Sequence, residues 1–158
     1  MLIREAKDDE LEQVRRIMIE AFAEYQDKLV PPSGALSETT EQIREKLSGR
    51  GGTLLVFQDS EAIGSAQYYA KEDYLYIGRI SVLPQWRGQG IGKAIVSYLE
   101  ELAASKSINE IRLGVRLSLP QNVDYYTKLN YKPIEEHEYP CKSDRWYIMS
   151  KMLDQQER

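Results

Sequence analysis

One short segment constrains the fold of this chain more than any other, VLPQWRGQGIGKAI at 82–95. Apolar and β-branched residues end at Pro84, glycines then alternate with other residues at Gly88, Gly90 and Gly92, and an apolar stripe of helical spacing follows. A strand, a glycine turn and a helix start in this order leave the first N–H groups of the helix free. The helix dipole makes that end positive, and glycines let an anion approach closely. The segment therefore predicts a phosphate-binding turn.

The glycine spacing narrows the kind of phosphate ligand. A Walker A loop needs Ser or Thr after its Gly-Lys pair, and Ala94 follows Gly92-Lys93. A dinucleotide fingerprint that begins at Gly88 needs glycine where the chain has Lys93. What remains is R-x-x-G-x-G, from Arg87 to Gly92. This pattern resembles the pyrophosphate-binding motif of the GNAT acetyltransferase superfamily.

Length and composition limit the other classes of function. The 158 residues fit one domain, 1–158, with an ordinary 42% of hydrophobic residues. No apolar run approaches the roughly 18 residues that span a bilayer, and the N-terminus lacks a signal-peptide pattern. The single cysteine, Cys141, excludes an intrachain disulfide framework and offers no metal cluster. We expect a cytoplasmic protein without a metal or a membrane partner.

The formal net charge of −4 bears on the partners of the chain. A protein of negative net charge is an unfavourable partner for nucleic acid, because like charges repel, and it attracts small cations. The sequence therefore predicts no nucleic-acid partner and mildly favours a cationic small molecule. It leaves open whether the protein forms a homodimer.

Periodicity predicts alternating elements without a linker or a repeat. Helices are predicted from Asp8 or Asp9, as the N-cap, to about Tyr25, and at 39–47, 90–105 and 121–129. Strands are predicted at 2–6, 53–58, 62–70, 74–83, 110–116, 132–139 and 145–153. An antiparallel meander that leads into one strand–helix–strand crossover describes a mixed α/β sheet. The GNAT acyl-CoA N-acyltransferase fold, a mixed and mostly antiparallel central sheet flanked by helices, has this order of elements, and the resemblance covers nearly the whole chain.

A second motif lies at 113–131. Asn122 and Tyr126 are four residues apart on a predicted helix, so both side chains project from one face. The segment from Tyr126 to Tyr131 is similar to the end of the family motif, and Asn130 takes the place of the usual glycine because Asn tolerates a left-handed conformation. The resemblance implies that Tyr126 is the general acid that protonates the departing thiolate. It also implies that Asn122 hydrogen-bonds the pantetheine arm of coenzyme A.

The same resemblance implies acetyl-CoA as the co-substrate. The residues expected at its pyrophosphate are Arg87, Gly88, Gln89, Gly90, Ile91, Gly92 and Lys93. Its pantetheine arm is expected to pair with the strand edge at Ile80, Ser81 and Val82, and one N–H of these residues is the candidate donor to the oxyanion. The pairing requires the strands at 74–83 and 110–116 to part, which a β-bulge near Ser81 would cause.

By resemblance, the protein is an N-acetyltransferase that moves the acetyl group of acetyl-CoA to a primary amine by direct transfer in a ternary complex. The alternatives are a non-catalytic acyl-CoA-binding sensor or regulatory module, and an acyltransferase with a longer acyl chain or a hydroxyl acceptor. The expected partner is a small-molecule or peptide amine. The sequence leaves open whether it is a polyamine, an antibiotic, an amino acid, or a lysine or N-terminus on a protein.

The general base is also left open. Many relatives carry a glutamate on the central strand, where this chain has Tyr76, Gly78 and Arg79. The carboxylates that could receive the proton through waters are Glu20, Glu24, Asp27, Glu72 and Asp73. His137 and Cys141 are expected at the surface, and Trp86 in packing. Tyr25 and the loop 29–38 are candidates for acceptor specificity, because the family places the region between the first two helices at the acceptor site.

Overall fold

The computed structural model describes residues 1–153, which form one seven-stranded sheet. The strands are Leu2–Glu5 (β1), Gly51–Gln58 (β2), Glu61–Ala70 (β3), Leu75–Val82 (β4), Glu110–Arg116 (β5), Lys132–Glu138 (β6) and Arg145–Met152 (β7). They lie in the order β1-β2-β3-β4-β5-β7-β6, and every neighbouring pair is antiparallel except β4–β5. The predicted mixed α/β sheet is confirmed.

Helices flank the sheet on both faces. They are Leu11–Phe22 (α1), Thr40–Leu47 (α2), Ile91–Ser105 (α3) and Pro120–Lys128 (α4). Successive side chains of β2 point to opposite faces of the sheet, so that they belong to two separate clusters of the core. Leu54 packs with Ile95 of α3, and its neighbour Leu55 packs with Val14 of α1. No helix within residues 1–153 combines the length and apolarity needed to cross a membrane.

The start of α1 differs from the prediction. Neither Asp8 nor Asp9 caps the helix, because a 3₁₀ turn at Asp8–Glu10 comes before it and already contains both residues. The carboxylate of Glu10 instead accepts hydrogen bonds from the Lys7 main-chain N–H, at 2.8 Å, and from the Arg4 guanidinium. The end of the helix is also earlier than predicted, at Phe22, and a further 3₁₀ turn carries the chain to Tyr25.

β4 and β5 part soon after they begin. Their ladder consists of the pairs Leu75–Ile111 and Tyr76–Arg112 and goes no further. On its other side β4 contains a bulge, because one residue of β3, Ala66, stands opposite two of β4, Arg79 and Ile80, between the pairs Gln67–Gly78 and Ser65–Ser81. The predicted bulge near Ser81 is confirmed, and a cleft opens between the two strands.

Candidate active site

The cleft between β4 and β5 is a cavity of about 1110 Å³. The two diverging strands form its walls, with the glycine turn and α4 beside them. The loop between α1 and α2 contributes Leu29, Pro32, Ser33 and Gly34, and the turn that ends α1 contributes Tyr25. The region that sequence reasoning assigned to the acceptor therefore lines the same cavity as the predicted phosphate turn.

The glycine turn presents a row of free N–H groups at the start of α3. Gly88 and Gly90 have φ angles of 78° and 79°, a left-handed conformation that favours glycine, and Gly90 is the N-cap of α3. No acceptor within residues 1–153 receives a hydrogen bond from the main-chain N–H groups of residues 88–93. Free N–H groups at a helix N-terminus are an anion site, since the helix dipole adds positive potential there.

The side chain of Arg87 ties this turn to α1. Its Nη2 donates to the carbonyl oxygen of Ala21 at 2.6 Å, and its Nη1 lies 2.8 Å from a carboxylate oxygen of Glu24. Its Nε donates to the carbonyl of Val82 at 3.3 Å. Sequence reasoning placed Arg87 at the pyrophosphate, but here its guanidinium is occupied by protein acceptors and fixes the position of the turn.

Tyr126 and Asn122 both face the cavity from α4. Burial raises the pKa of Tyr126 above its ordinary value, and the nearby hydroxyls of Tyr125 and Tyr25 add to the shift. The hydroxyl is therefore protonated throughout the neutral range and is able to donate a proton. Asn130 has a φ of 75°, as predicted, and it turns the chain so that the buried Tyr131 packs edge-on against Tyr126.

Tyr25 stands near the polar groups of both walls. Burial raises its pKa, the charge of Glu24 raises it further, and the Asn122 amide and the Arg87 guanidinium lower it. The tyrosine of the first loop is therefore close to the asparagine of α4.

Most of the predicted cofactor residues line the cavity. Ser81 and Gln89 do not. Ser81 is buried, and its hydroxyl donates to the carbonyl of Arg79 at 2.9 Å, so that its side chain supports the bulge. Among the carboxylates considered for the base, Glu24 lines the cavity, and its partner is Arg87.

Side chains of β5, β6, β7 and the turn after β6 also line the cavity, and they were not among the predicted site residues. They are Arg116, Glu138, Tyr139 and Trp146, the last from β7. His137, expected at the surface, is 45% exposed at the edge of the cavity and stacks on Trp146 at a ring distance of 4.7 Å. Strand pairing brings these residues to the cleft. The sequence signal that bears on them is the alternation of side chains between the two faces of β5 and β6.

Other residues singled out in the sequence have structural surroundings. Trp86 packs against two clusters of the core and also borders the cavity. Cys141 is exposed, with its Sγ 2.8 Å from the hydroxyl of Ser143. Within residues 1–153 no group of three or more His, Cys, Asp and Glu side chains is arranged to hold a metal ion.

Comparison with known proteins identifies the family. The family model described as Acetyltransferase (GNAT) family matches residues 11–131. The thialysine N-epsilon-acetyltransferases of Sus scrofa and Bos taurus are 30% and 31% identical to this chain, and each match covers 87% of this chain and 88% of the relative.

Solved structures share the fold. The PaiA N-acetyltransferase of Thermoplasma acidophilum, in complex with coenzyme A, has a TM-score of 0.77 at 22% identity and covers 96% of this chain and 98% of its own. An aminoglycoside 6′-N-acetyltransferase complexed with coenzyme A has a TM-score of 0.74 at 15% identity, over 96% and 97% of the two chains. The chain is an acetyltransferase that belongs to the GNAT family.

Proposed function

We propose that the protein transfers the acetyl group of acetyl-CoA directly to a primary amine of a small molecule, with both substrates bound at once. The observation that carries the proposal is the row of free N–H groups at 88–93, in the wall of a cavity that the half-buried Tyr126 also lines. An anion site and a proton donor in one cleft suit a reaction whose donor carries phosphates and leaves as a thiolate.

Binding of acetyl-CoA would use two parts of the cavity wall. The N–H groups of 88–93 would hold its pyrophosphate, and Lys93 adds a positive charge there. The edge of β4 from Ile80 to Val82 has no strand partner on the β5 side, so that the amides of the pantetheine arm could hydrogen-bond to it. Fixing both substrates in this way is worth up to roughly 7–11 kcal/mol of the reaction barrier.

The chemical step needs an oxyanion donor and a proton donor. The amine nitrogen attacks the thioester carbon, and the carbonyl oxygen gains negative charge that an N–H of 80–82 would stabilise. When the carbon–sulfur bond breaks, the thiolate takes the proton of the Tyr126 hydroxyl. The ammonium proton leaves through water, and Glu24 is the candidate among those considered that borders the cavity.

The relatives support a small-molecule acceptor. The two mammalian proteins are named for the amine of thialysine, and one structural neighbour is named for an aminoglycoside. The cavity of about 1110 Å³ suits a molecule of this size beside the cofactor arm.

The test is thiol release from acetyl-CoA in the presence of single amines. The panel comprises amino acids, a polyamine, an aminoglycoside and a lysine peptide, and mass spectrometry checks each product for an added acetyl group. We expect amine-dependent thiol release with at least one small molecule. Binding of acetyl-CoA without thiol release on any amine would contradict the proposal and favour an acyl-CoA sensor.

A further inference from the structure

The charged guanidinium of Arg79 forms no hydrogen bond with the described residues. It occupies the bulge of β4 with a φ of 50°, and its guanidinium borders the cavity. Within residues 1–153 none of its N–H groups has a hydrogen-bond acceptor, and its Nε is buried. The nearest carboxylate oxygen, on Glu38, is 3.6 Å from Nε, which is beyond hydrogen-bond distance.

Glu38 has other partners. One of its oxygens accepts from Lys46 at 2.8 Å and the other from Gln67 at 3.1 Å. Because Lys46 already balances its charge, the group of Arg79, Glu38 and Lys46 keeps one net positive charge.

Arg116 adds a second incompletely bonded guanidinium, from the opposite wall. Its side chain is 12% exposed, its Nε donates to the Tyr139 hydroxyl at 3.0 Å, and Asp144 lies 3.4 Å from the same nitrogen. Its Nη2 donates to the carbonyl of Pro31. Its Nη1 is buried and has no partner among the described residues. Asp144 balances the charge of Arg116, so that the groups around Arg79 and Arg116 together carry one net positive charge.

The charge of the cavity is opposite to that of the chain. The protein has a net charge of −4, but four cationic and two acidic side chains of the described residues line the cavity. Two of the cations, Arg87 and Lys93, belong to the phosphate turn, and Arg79 and Arg116 are the others. The cationic acceptor favoured by the overall charge would therefore meet a positive wall.

The buried Nε of Arg79 faces Glu38, whereas the partly exposed Nη groups have no hydrogen-bond acceptor within residues 1–153. A carboxylate supplies two acceptors in the geometry of the guanidinium fork. We propose that the acceptor amine carries a carboxylate, so that it belongs to the amino-acid class, and that Arg79 binds this carboxylate, with Arg116 on the opposite wall of the cavity. The proposal rests on the proposed function and adds the substrate class. One net positive charge matches a monoanion better than a phosphate dianion.

Gly34 supports this role of Arg79. A Cβ atom at Gly34 would lie 2.9 Å from Nη2 of Arg79, so that an alanine there would shift the end of this flexible side chain. The loop that borders the acceptor end thus fits around this one side chain. Gly34→Ala is expected to displace the guanidinium and to weaken carboxylate binding.

The experiment measures binding by calorimetry to the protein saturated with CoA, so that it needs no turnover. The probes are lysine and a series of unbranched ω-amino carboxylates, each beside its primary amide, which differs by the loss of the negative charge. We expect wild type to bind at least one carboxylate about tenfold or more tightly than its amide, or about 1.4 kcal/mol. Arg79→Met should abolish this preference, and Arg79→Lys should keep part of it, since lysine retains the charge without the fork.

Arg15→Met is the matched control, because Arg15 lies on α1 outside the cavity and its one ion pair within residues 1–153 is with Glu12. It should keep the full preference, and melting curves establish that each variant is folded. Amides that bind as well as the carboxylates at every length, a preference that survives Arg79→Met, or no binding of any carboxylate would overturn the proposal. Failure of the proposed function would appear separately, as absence of acetyl-CoA binding or of amine-dependent thiol release.

Discussion

The guanidinium of Arg87, in the glycine turn, donates a 2.6 Å hydrogen bond to the carbonyl oxygen of Ala21, near the end of α1. The two residues are far apart in the sequence, and the bond joins the anion site to the helix that leads into the acceptor loop. Glu24, one turn further along the chain, pairs with the same guanidinium. This side chain therefore ties the glycine turn to the end of α1.

Arg87→Met should lower both stability and acetyl-CoA affinity. A hydrogen bond from a charged donor to a partly buried carbonyl contributes about 1 kcal/mol after allowance for solvent, and the exposed pair with Glu24 adds little. In a domain of this size the melting temperature should fall by roughly 2–4 °C. Scanning calorimetry measures the change, with Arg15→Met as the control. An unchanged melting temperature and affinity would show that the contact is incidental.

Glu10 should make the stability depend on pH in the acid range. Its hydrogen bonds from Arg4, and then from the Lys7 N–H, lower its pKa to about 2. Because the folded pKa lies below the unfolded value of about 4.3, the stabilisation is complete above that value and is lost as the pH falls through about 2. Glu10→Gln should therefore lower the melting temperature at neutral pH, and the difference from wild type should vanish near pH 2.

Glu12→Gln provides the comparison for this pH series, because Glu12 is an exposed residue paired with Arg15. Its melting curves should follow wild type throughout. A difference between Glu10→Gln and wild type that stays constant from pH 7 to about pH 2 would contradict the assignment.

Tyr126→Phe should slow the chemical step and leave binding intact. The ring and its packing remain, but the proton donor is lost, so kcat should fall about 10²-fold with little change in the KM for acetyl-CoA. Because burial raises the pKa of Tyr126, its deprotonation should not limit kcat up to about pH 10. Steady-state kinetics on the amine found by the thiol-release panel measures both. Full activity of the Phe variant would leave Tyr126 a packing residue.

Ligands that fit the glycine turn should stabilise the protein selectively. A ligand that binds only the folded state, at a hundredfold excess over its Kd, adds about 2.7 kcal/mol to the free energy of unfolding. Acetyl-CoA and CoA should raise the melting temperature, while ATP and NAD should not. An equal shift with NAD would return the turn to the dinucleotide interpretation that Lys93 argued against.

The elements and the glycine turn could be predicted because each depends on neighbours in the sequence. Helical and alternating periodicities fix the bounds of the helices and strands within a few residues. Gly88 and Gly90 adopt a left-handed conformation, which the turn itself requires and which glycine permits. Even the bulge could be predicted, since the expected pairing of a pantetheine arm with β4 requires β4 and β5 to part. The capping prediction failed locally, because Asp8 and Asp9 lie inside a 3₁₀ turn whose N-cap is Lys7.

The acceptor end could not be predicted from the sequence. Arg116 and Trp146 reach the cavity only through the pairing of β5 with β7, which no local pattern encodes. In the sequence, Arg79 stands out only because it lies on the strand where many relatives carry a glutamate. The guanidinium of Arg79 lacks an acceptor because Lys46 and Gln67 already donate hydrogen bonds to the carboxylate of Glu38. Periodicity does not reveal this long-range arrangement.

The most direct test of the account is a calorimetric titration with acetyl-CoA of wild type, Gly90→Val and Gly49→Val. Gly49 has a φ of 87°, close to the 79° of Gly90, and neither position has an atom near its missing Cβ, so that the two variants carry similar backbone strain. If the N–H groups of 88–93 hold the pyrophosphate, Gly90→Val should weaken binding at least about tenfold, or about 1.4 kcal/mol, and Gly49→Val should bind as wild type does. Equal affinity in all three folded proteins would contradict the account.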